Sequence, residues 1–203
     1  MAYRSSAPRS AVPIGVALTL VAVFCAGVGL GQLTGLPSLP SLWGTGSGAD
    51  GAALRRSLPT QISIASLGVR ASVVEVGQAR DGSIAAPSGD PVATTGWYRA
   101  SSTPGERGTA VIVGHVDTSE QPAVFHRLRE LRRGKLIEVT RHDRRVAAFT
   151  VESVSTYPKT AFPVDDVFAN AGRPRLVLVT CGGRWLGGDL GYADNVIVFA
   201  TLA

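Results

Sequence analysis

Two apolar runs in this chain each end in a reactive side chain. The first is LVLVTCGG, residues 176–183, which closes on Thr180 and Cys181 before a glycine pair. A β-branched apolar run bounded by turn residues reads as a buried strand. The glycines read as its stop, so Cys181 is expected at a strand end, where a side chain faces a cleft. Only one other cysteine exists, Cys25, and it lies in the N-terminal apolar segment. Cys181 is therefore a candidate nucleophile. The second run, TAVIVGHVDT at residues 109–118, ends in Gly114 and His115. If the two strands are neighbours, imidazole and thiol meet at one end of the sheet. A thiolate is the useful nucleophile, and an imidazolium beside it lowers the thiol pKa. Taken singly, each residue also fits a structural role: a small core cysteine, a hydrogen-bonded strand-end histidine. The matched positions favour chemistry.

The elements that must position this pair are short strands. Residues 61–65, 70–76, 94–98, 109–115, 135–140, 146–155, 175–181 and 192–200 carry alternating or continuous apolar patterns separated by turn signals such as Asp81-Gly82. Eight strands at short, irregular spacing predict a mainly β fold, a closed or nearly closed barrel. Residues 123–133 have helical apolar spacing through Val124, Leu128 and Leu131, and residues 164–170 predict one or two helical turns. Residues 58–203 form the expected globular domain, long enough to bury an adequate core.

The N-terminal third reads differently. Residues 1–11 carry Arg4 and Arg9 and no acid. Residues 12–33 are apolar or small, with Thr19 and Gln32 as the polar interruptions. About 22 helical residues span roughly 33 Å, enough for a hydrocarbon core of about 30 Å. A cleaved signal peptide would have a shorter apolar region and a small-residue cleavage site after it. A lipoprotein reading would use Cys25, which sits in mid-span. The expectation is one uncleaved N-terminal transmembrane helix, with residues 1–11 cytoplasmic because the basic residues precede the span. Residues 34–57, rich in Gly, Ser and Pro, read as a flexible tether. The exported part then holds a single cysteine, and an unpaired structural thiol is a liability in an oxidising exterior. That again favours a chemical role for Cys181. The net charge of +5 brings nucleic-acid binding to mind. The basic residues are scattered over a β pattern with no nucleic-acid module, so that function class is set aside. Arg127, Arg129, Arg132, Arg133 and Lys135 read as the solvated face of a short helix.

Three segments together resemble one family. LVTC at residues 178–181 resembles the L-x-T-C signature of sortases, the cysteine transpeptidases of Gram-positive cell envelopes. VGHVD at residues 113–117 resembles their histidine segment, in the same order of His before Cys. With TCGG, GHVD and YADNVIVFA at residues 192–200, the chain most resembles the actinobacterial class F sortases. The resemblance implies an eight-stranded sortase-like β-barrel with short helices. It implies that Cys181 attacks the threonine carbonyl of an L-P-x-T-G-like sorting signal to form a thioester. An amine from a peptidoglycan precursor or a pilin lysine then resolves it, with His115 as acid and base. The implied partners are surface-protein or pilin substrates, the acceptor amine and the membrane, with the catalytic domain outside the cell. Neither metal nor cofactor is implied, and no His/Cys cluster has zinc spacing.

The resemblance also implies an arginine for the developing oxyanion, on the strand after the cysteine strand. The corresponding stretch, residues 193–195, is Ala-Asp-Asn. Asn195 is the first candidate donor and Arg184 the second. Two other readings keep the same residues: a thiol peptidase in which water resolves the thioester, and an inactive barrel that binds envelope peptides. Asp117 reads as a loop cap, with orientation of His115 as the alternative. His126 and His142 read as surface bystanders. Asp165 and Asp166 read as a helix N-terminal cap rather than half of a calcium site. Trp185 is expected to line the cleft, and Trp97 the cleft or a barrel end.

Overall fold

The computed structural model describes residues 53–169 and 172–203. The expected cytoplasmic N-terminus, the membrane span at residues 12–33 and most of the tether lie outside the described residues. Among the described residues, no helix is long and apolar enough to cross a membrane.

Eight strands form a closed barrel: β1 (Pro59–Ile64), β2 (Val69–Val76), β3 (Thr94–Tyr98), β4 (Gly108–Val113), β5 (Leu136–Arg141), β6 (Val146–Pro158), β7 (Pro174–Trp185) and β8 (Tyr192–Leu202). Their spatial order is β1-β2-β3-β4-β7-β8-β6-β5, and β5 closes on β1. The pairs β2–β3 and β4–β7 are parallel, and the others are antiparallel. The parallel β4–β7 pair makes neighbours of the strands that lead to His115 and Cys181.

Period-two alternation sorts each strand between two apolar layers. Leu176 and Leu178 of β7 point into the barrel, with Ile112, Val196, Val198 and residues from every other strand. Val177 and Val179 point outward and pack with Val111, Ile197, Phe199 and Val167. Both faces of β7 are thus buried, which accounts for its continuous rather than alternating apolar sequence. The second layer is roofed by the segment around α1 (Val164–Val167).

Two expectations about elements need correction. Residues 123–133 do not form an α-helix. Their bonds run from the amides of His126, Leu128, Glu130 and Leu131 to carbonyls three residues back, and only Leu128–Glu130 is a regular 3₁₀ turn. Val124, Phe125, Leu128 and Leu131 are all buried in the barrel core. Drawing apolar side chains in from neighbouring as well as helically spaced positions winds the segment tighter than an α-helix. Nor does the glycine pair end the cysteine strand: β7 runs on through Gly182 and Gly183 to Trp185, with a register shift against β8. Gly183 has φ +75°, and a Cβ there would lie 2.0 Å from Asp194 Oδ2. The glycines therefore let β8 approach closely and the strand bulge rather than stop.

Candidate active site

Odd-numbered residues near the end of β7 face outward, so Cys181 follows Val177 and Val179 onto the outer layer. Its antiparallel partner on β8 is Asn195, which shares that face. On the other side, β4 pairs in parallel through Val113 and Val179. One further bond extends this contact, from Gly114 N to Val179 O at 3.1 Å. The buried Thr180 hydroxyl donates to Gly114 O at 2.7 Å. His115 and Cys181 each lie two residues beyond the Val113–Val179 pair. A side chain at Gly114 would meet the Phe125 ring at 2.6 Å, so glycine is needed for the histidine segment to pass the buried 123–133 segment, which plugs the barrel.

His115, Cys181 and Asn195 all line one cavity of about 1150 Å³. Val113 and Val179 lie on its sheet side, and Ile84, Phe162 and Phe168 of the covering segments also line it. The half-buried Cys181 is a free thiol. His115 Nε2 is 3.4 Å from Pro87 O, to which an Nε2–H donates. The titratable side chains around the cavity are Asp81, Tyr98, His115, Asp117, Lys159, Cys181 and Tyr192.

Asp117 is not a loop cap. Thr118 has that role: its hydroxyl oxygen accepts from the amides of Glu120 and Gln121 at 3.2 and 3.1 Å. Asp117 instead accepts a short hydrogen bond from the Tyr192 hydroxyl. This bond is the main cause that raises the Tyr192 pKa above its ordinary value, reinforced by burial and by the charges of Asp117 and Cys181. The Tyr192 ring stands edge-to-face with Trp185 at 5.0 Å between centroids.

Other expectations resolve as follows. Trp185 lines the cavity and is 57% exposed, whereas Trp97 is 1% exposed in the core, its Nε1 donating to Ser102 O. Arg184 is exposed on the β7 extension and is not among the cavity-lining residues. His126 and His142 are exposed and lie away from the cavity. Asp165 and Asp166 occupy the first turn of α1, whose N-cap is Pro163, with no side-chain cap bond. Tyr192 and Lys159 are cavity residues that the sequence reading missed. Tyr192 lies inside the YADN segment, but nothing there points to Asp117. Lys159 opens a short 3₁₀ turn after β6, whose last residue Pro158 pairs with Asp194, so the β6–β8 register carries it towards the cavity.

A thiol, an imidazole and a side-chain amide on one apolar-walled groove make a site for acyl transfer from a peptide. The sequence matches the family described as Sortase domain over residues 62–203. The structure is similar to a lid mutant of sortase A from Corynebacterium diphtheriae, with TM-score 0.56, 15% identity, and 76% of this chain and 75% of that one covered. It is also similar to a sortase D5 transpeptidase from Clostridium perfringens, with TM-score 0.52, 20% identity, and 71% and 78% covered. A third is sortase C-1 from Actinomyces oris, with TM-score 0.53, 17% identity, and 70% and 72% covered. At these identities the likeness is one of fold. No curated protein matches the chain. The match over most of the chain is decisive: this protein belongs to the sortase family of cysteine transpeptidases.

Proposed function

We propose that the chain is a membrane-anchored class F sortase in which Cys181 is the nucleophile and His115 the acid and base. The Cys181 thiolate adds to the threonine carbonyl of an L-P-x-T-G-like sorting signal. His115 gives a proton to the leaving amine as the C–N bond breaks, and a thioester remains. An amine of a cell-envelope acceptor then attacks the thioester carbon. His115 takes the amine proton, the new amide forms and the thiolate leaves. Asn195 donates its amide to the carbonyl oxygen as negative charge develops there, with Arg184 the second candidate for that role. The substrates are surface proteins or pilins that carry the sorting signal. The span at residues 12–33 holds the enzyme in the membrane with its catalytic domain outside the cell.

The observation that carries this reading is the convergence of Cys181, His115 and Asn195 on one apolar-walled cavity. Sorting-signal peptides incubated with the full chain in detergent test it. Wild type is expected to yield a thioester adduct on Cys181 by mass spectrometry, and Cys181→Ala to yield neither adduct nor cleavage. Normal turnover by the alanine variant sinks the reading. An added amine separates transfer from hydrolysis: a transpeptidase gives the amide as the main product, a thiol peptidase the free acid.

A further inference from the structure

The segment carrying His115 leaves the sheet after Gly114. Beyond that point, hydrogen bonds fasten it on the barrel-plug side: Phe125 N donates to His115 O at 2.9 Å, and Ala123 N donates to Val116 O at 3.0 Å. On the other side stands the β7–β8 hairpin that carries Cys181 and Asn195. Among the described residues, one hydrogen bond joins residues 115–120 to residues 181–195, and it runs from the Tyr192 hydroxyl to the Asp117 carboxylate. Asp117 is two residues past His115. Tyr192 opens β8, opposite Trp185 and three residues before the partner of Cys181.

We infer that the Tyr192–Asp117 hydrogen bond is a positioning tie, which holds the His115 segment at a set separation from the Cys181 strand during proton transfer; the inference rests on the reading of those two residues as base and nucleophile. Three features suit the pair to this task. The acceptor is a carboxylate, so the bond is charge-assisted and stronger than a neutral one. The Tyr192 ring packs edge-to-face against Trp185, a second contact that favours the donor's orientation. A phenol is protonated throughout the physiological range, and the bond to Asp117 extends that further into alkali. His115 must move a proton in both half-reactions. A misplacement of about 1 Å at such a site costs about 100-fold in rate. Asp117 and Tyr192 touch no reacting atom in this scheme; they act through His115.

The test is a double-mutant cycle on the full chain in detergent. Tyr192→Phe keeps the ring and its contact with Trp185 while removing the donor. We expect it to lower kcat by about 10- to 100-fold, the range for losing a hydrogen bond to a charged group, with KM nearly unchanged. Asp117→Ala should match it, and the double variant should be no worse than either single one. Asp117→Asn keeps an acceptor oxygen and should recover part of the rate. Iodoacetamide labelling of Cys181 adds a readout that a merely structural role would not move. At one fixed pH, Tyr192→Phe should label more slowly than wild type, because the histidine segment is no longer held to the cysteine strand. An unchanged kcat in Tyr192→Phe, or additive losses in the double variant, overturns the tie. A raised kcat/KM in Tyr192→Phe also overturns it and marks the bond as a barrier to substrate. A wild type that forms no thioester defeats the functional reading instead, so the two failures are distinguishable.

Discussion

Cys181 and Asn195 are direct partners across the antiparallel β7–β8 ladder, with both side chains on the outer face of the barrel. Side chains in such a pair have Cβ atoms about 5 Å apart. An acyl carbonyl bonded to the sulfur would therefore form within reach of the Asn195 amide. Tyr157 of β6 pairs with Asn195 from its other side, so this candidate donor sits on a central strand, not a loop.

Asn195→Ala is expected to lower the acylation rate by about 100- to 1000-fold, the usual cost of one oxyanion donor. Circular dichroism should be unchanged. Arg184→Ala should cost less, because Arg184 is exposed and is not among the residues lining the cavity. A larger loss in Arg184→Ala, with the fold intact, moves the oxyanion role to the arginine.

Gly183→Ala should damage both stability and activity. The left-handed backbone alone costs about 1–3 kcal/mol for a non-glycine residue. The added Cβ also collides with the Asp194 carboxylate. Denaturant unfolding should show the stability loss, and relief of the clash by a second change, Asp194→Gly, should return only part of it.

Arg141 supports the end of the barrel away from this chemistry. It is 1% exposed and donates to the Pro104 and Arg55 carbonyls and to Asp143. Arg141→Met should destabilise the domain by about 3 kcal/mol, because buried acceptors lose their donor. Urea titration followed by tryptophan fluorescence measures it.

The same pair sets an acid limit. The hydrogen bond from Arg141 holds the Asp143 carboxyl below its ordinary pKa, with the Arg145 amide and charge assisting. A depressed folded-state pKa gives stability that is present above the unfolded value and is lost as pH falls through the folded one. Melting temperature should therefore fall less steeply below about pH 4 in Asp143→Asn than in wild type. Parallel curves would exclude the contribution.

At alkaline pH the sign reverses for Tyr192. Its folded-state pKa is raised, so the stability it brings is complete below the unfolded value and is lost as pH rises through the folded one. The tyrosinate absorbance step missing from Tyr192→Phe should have its midpoint above pH 10. Asp117→Asn should bring that step down.

Much of this was legible from local sequence. The apolar β-branched runs marked all eight strands, because burial on a pleated surface imposes period two or a continuous run. Thr94–Tyr98 appears with the bounds expected. His115 and Cys181 stood out because each follows such a run beside glycine. Other features depend on register between segments far apart in the chain, which no local pattern encodes. The parallel β4–β7 pairing brings His115 and Cys181 to one end of the sheet. The β7–β8 register makes Asn195 the partner of Cys181 and carries the glycine pair through a bulge. The β6–β8 register brings Lys159 to the cavity, and the meeting of Asp117 with Tyr192 joins positions 75 residues apart. Residues 123–133 misled for a related reason: their spacing fits an α-helix, but the barrel end claims Phe125 as well as the helically spaced positions and winds the segment tighter. Side-chain type and local period therefore decided which residues were candidates for chemistry and which segments were strands, since both are read within a few residues. Only strand pairing decided which of those reactive groups face each other, since closing a barrel sets contacts by register and not by nearness in sequence.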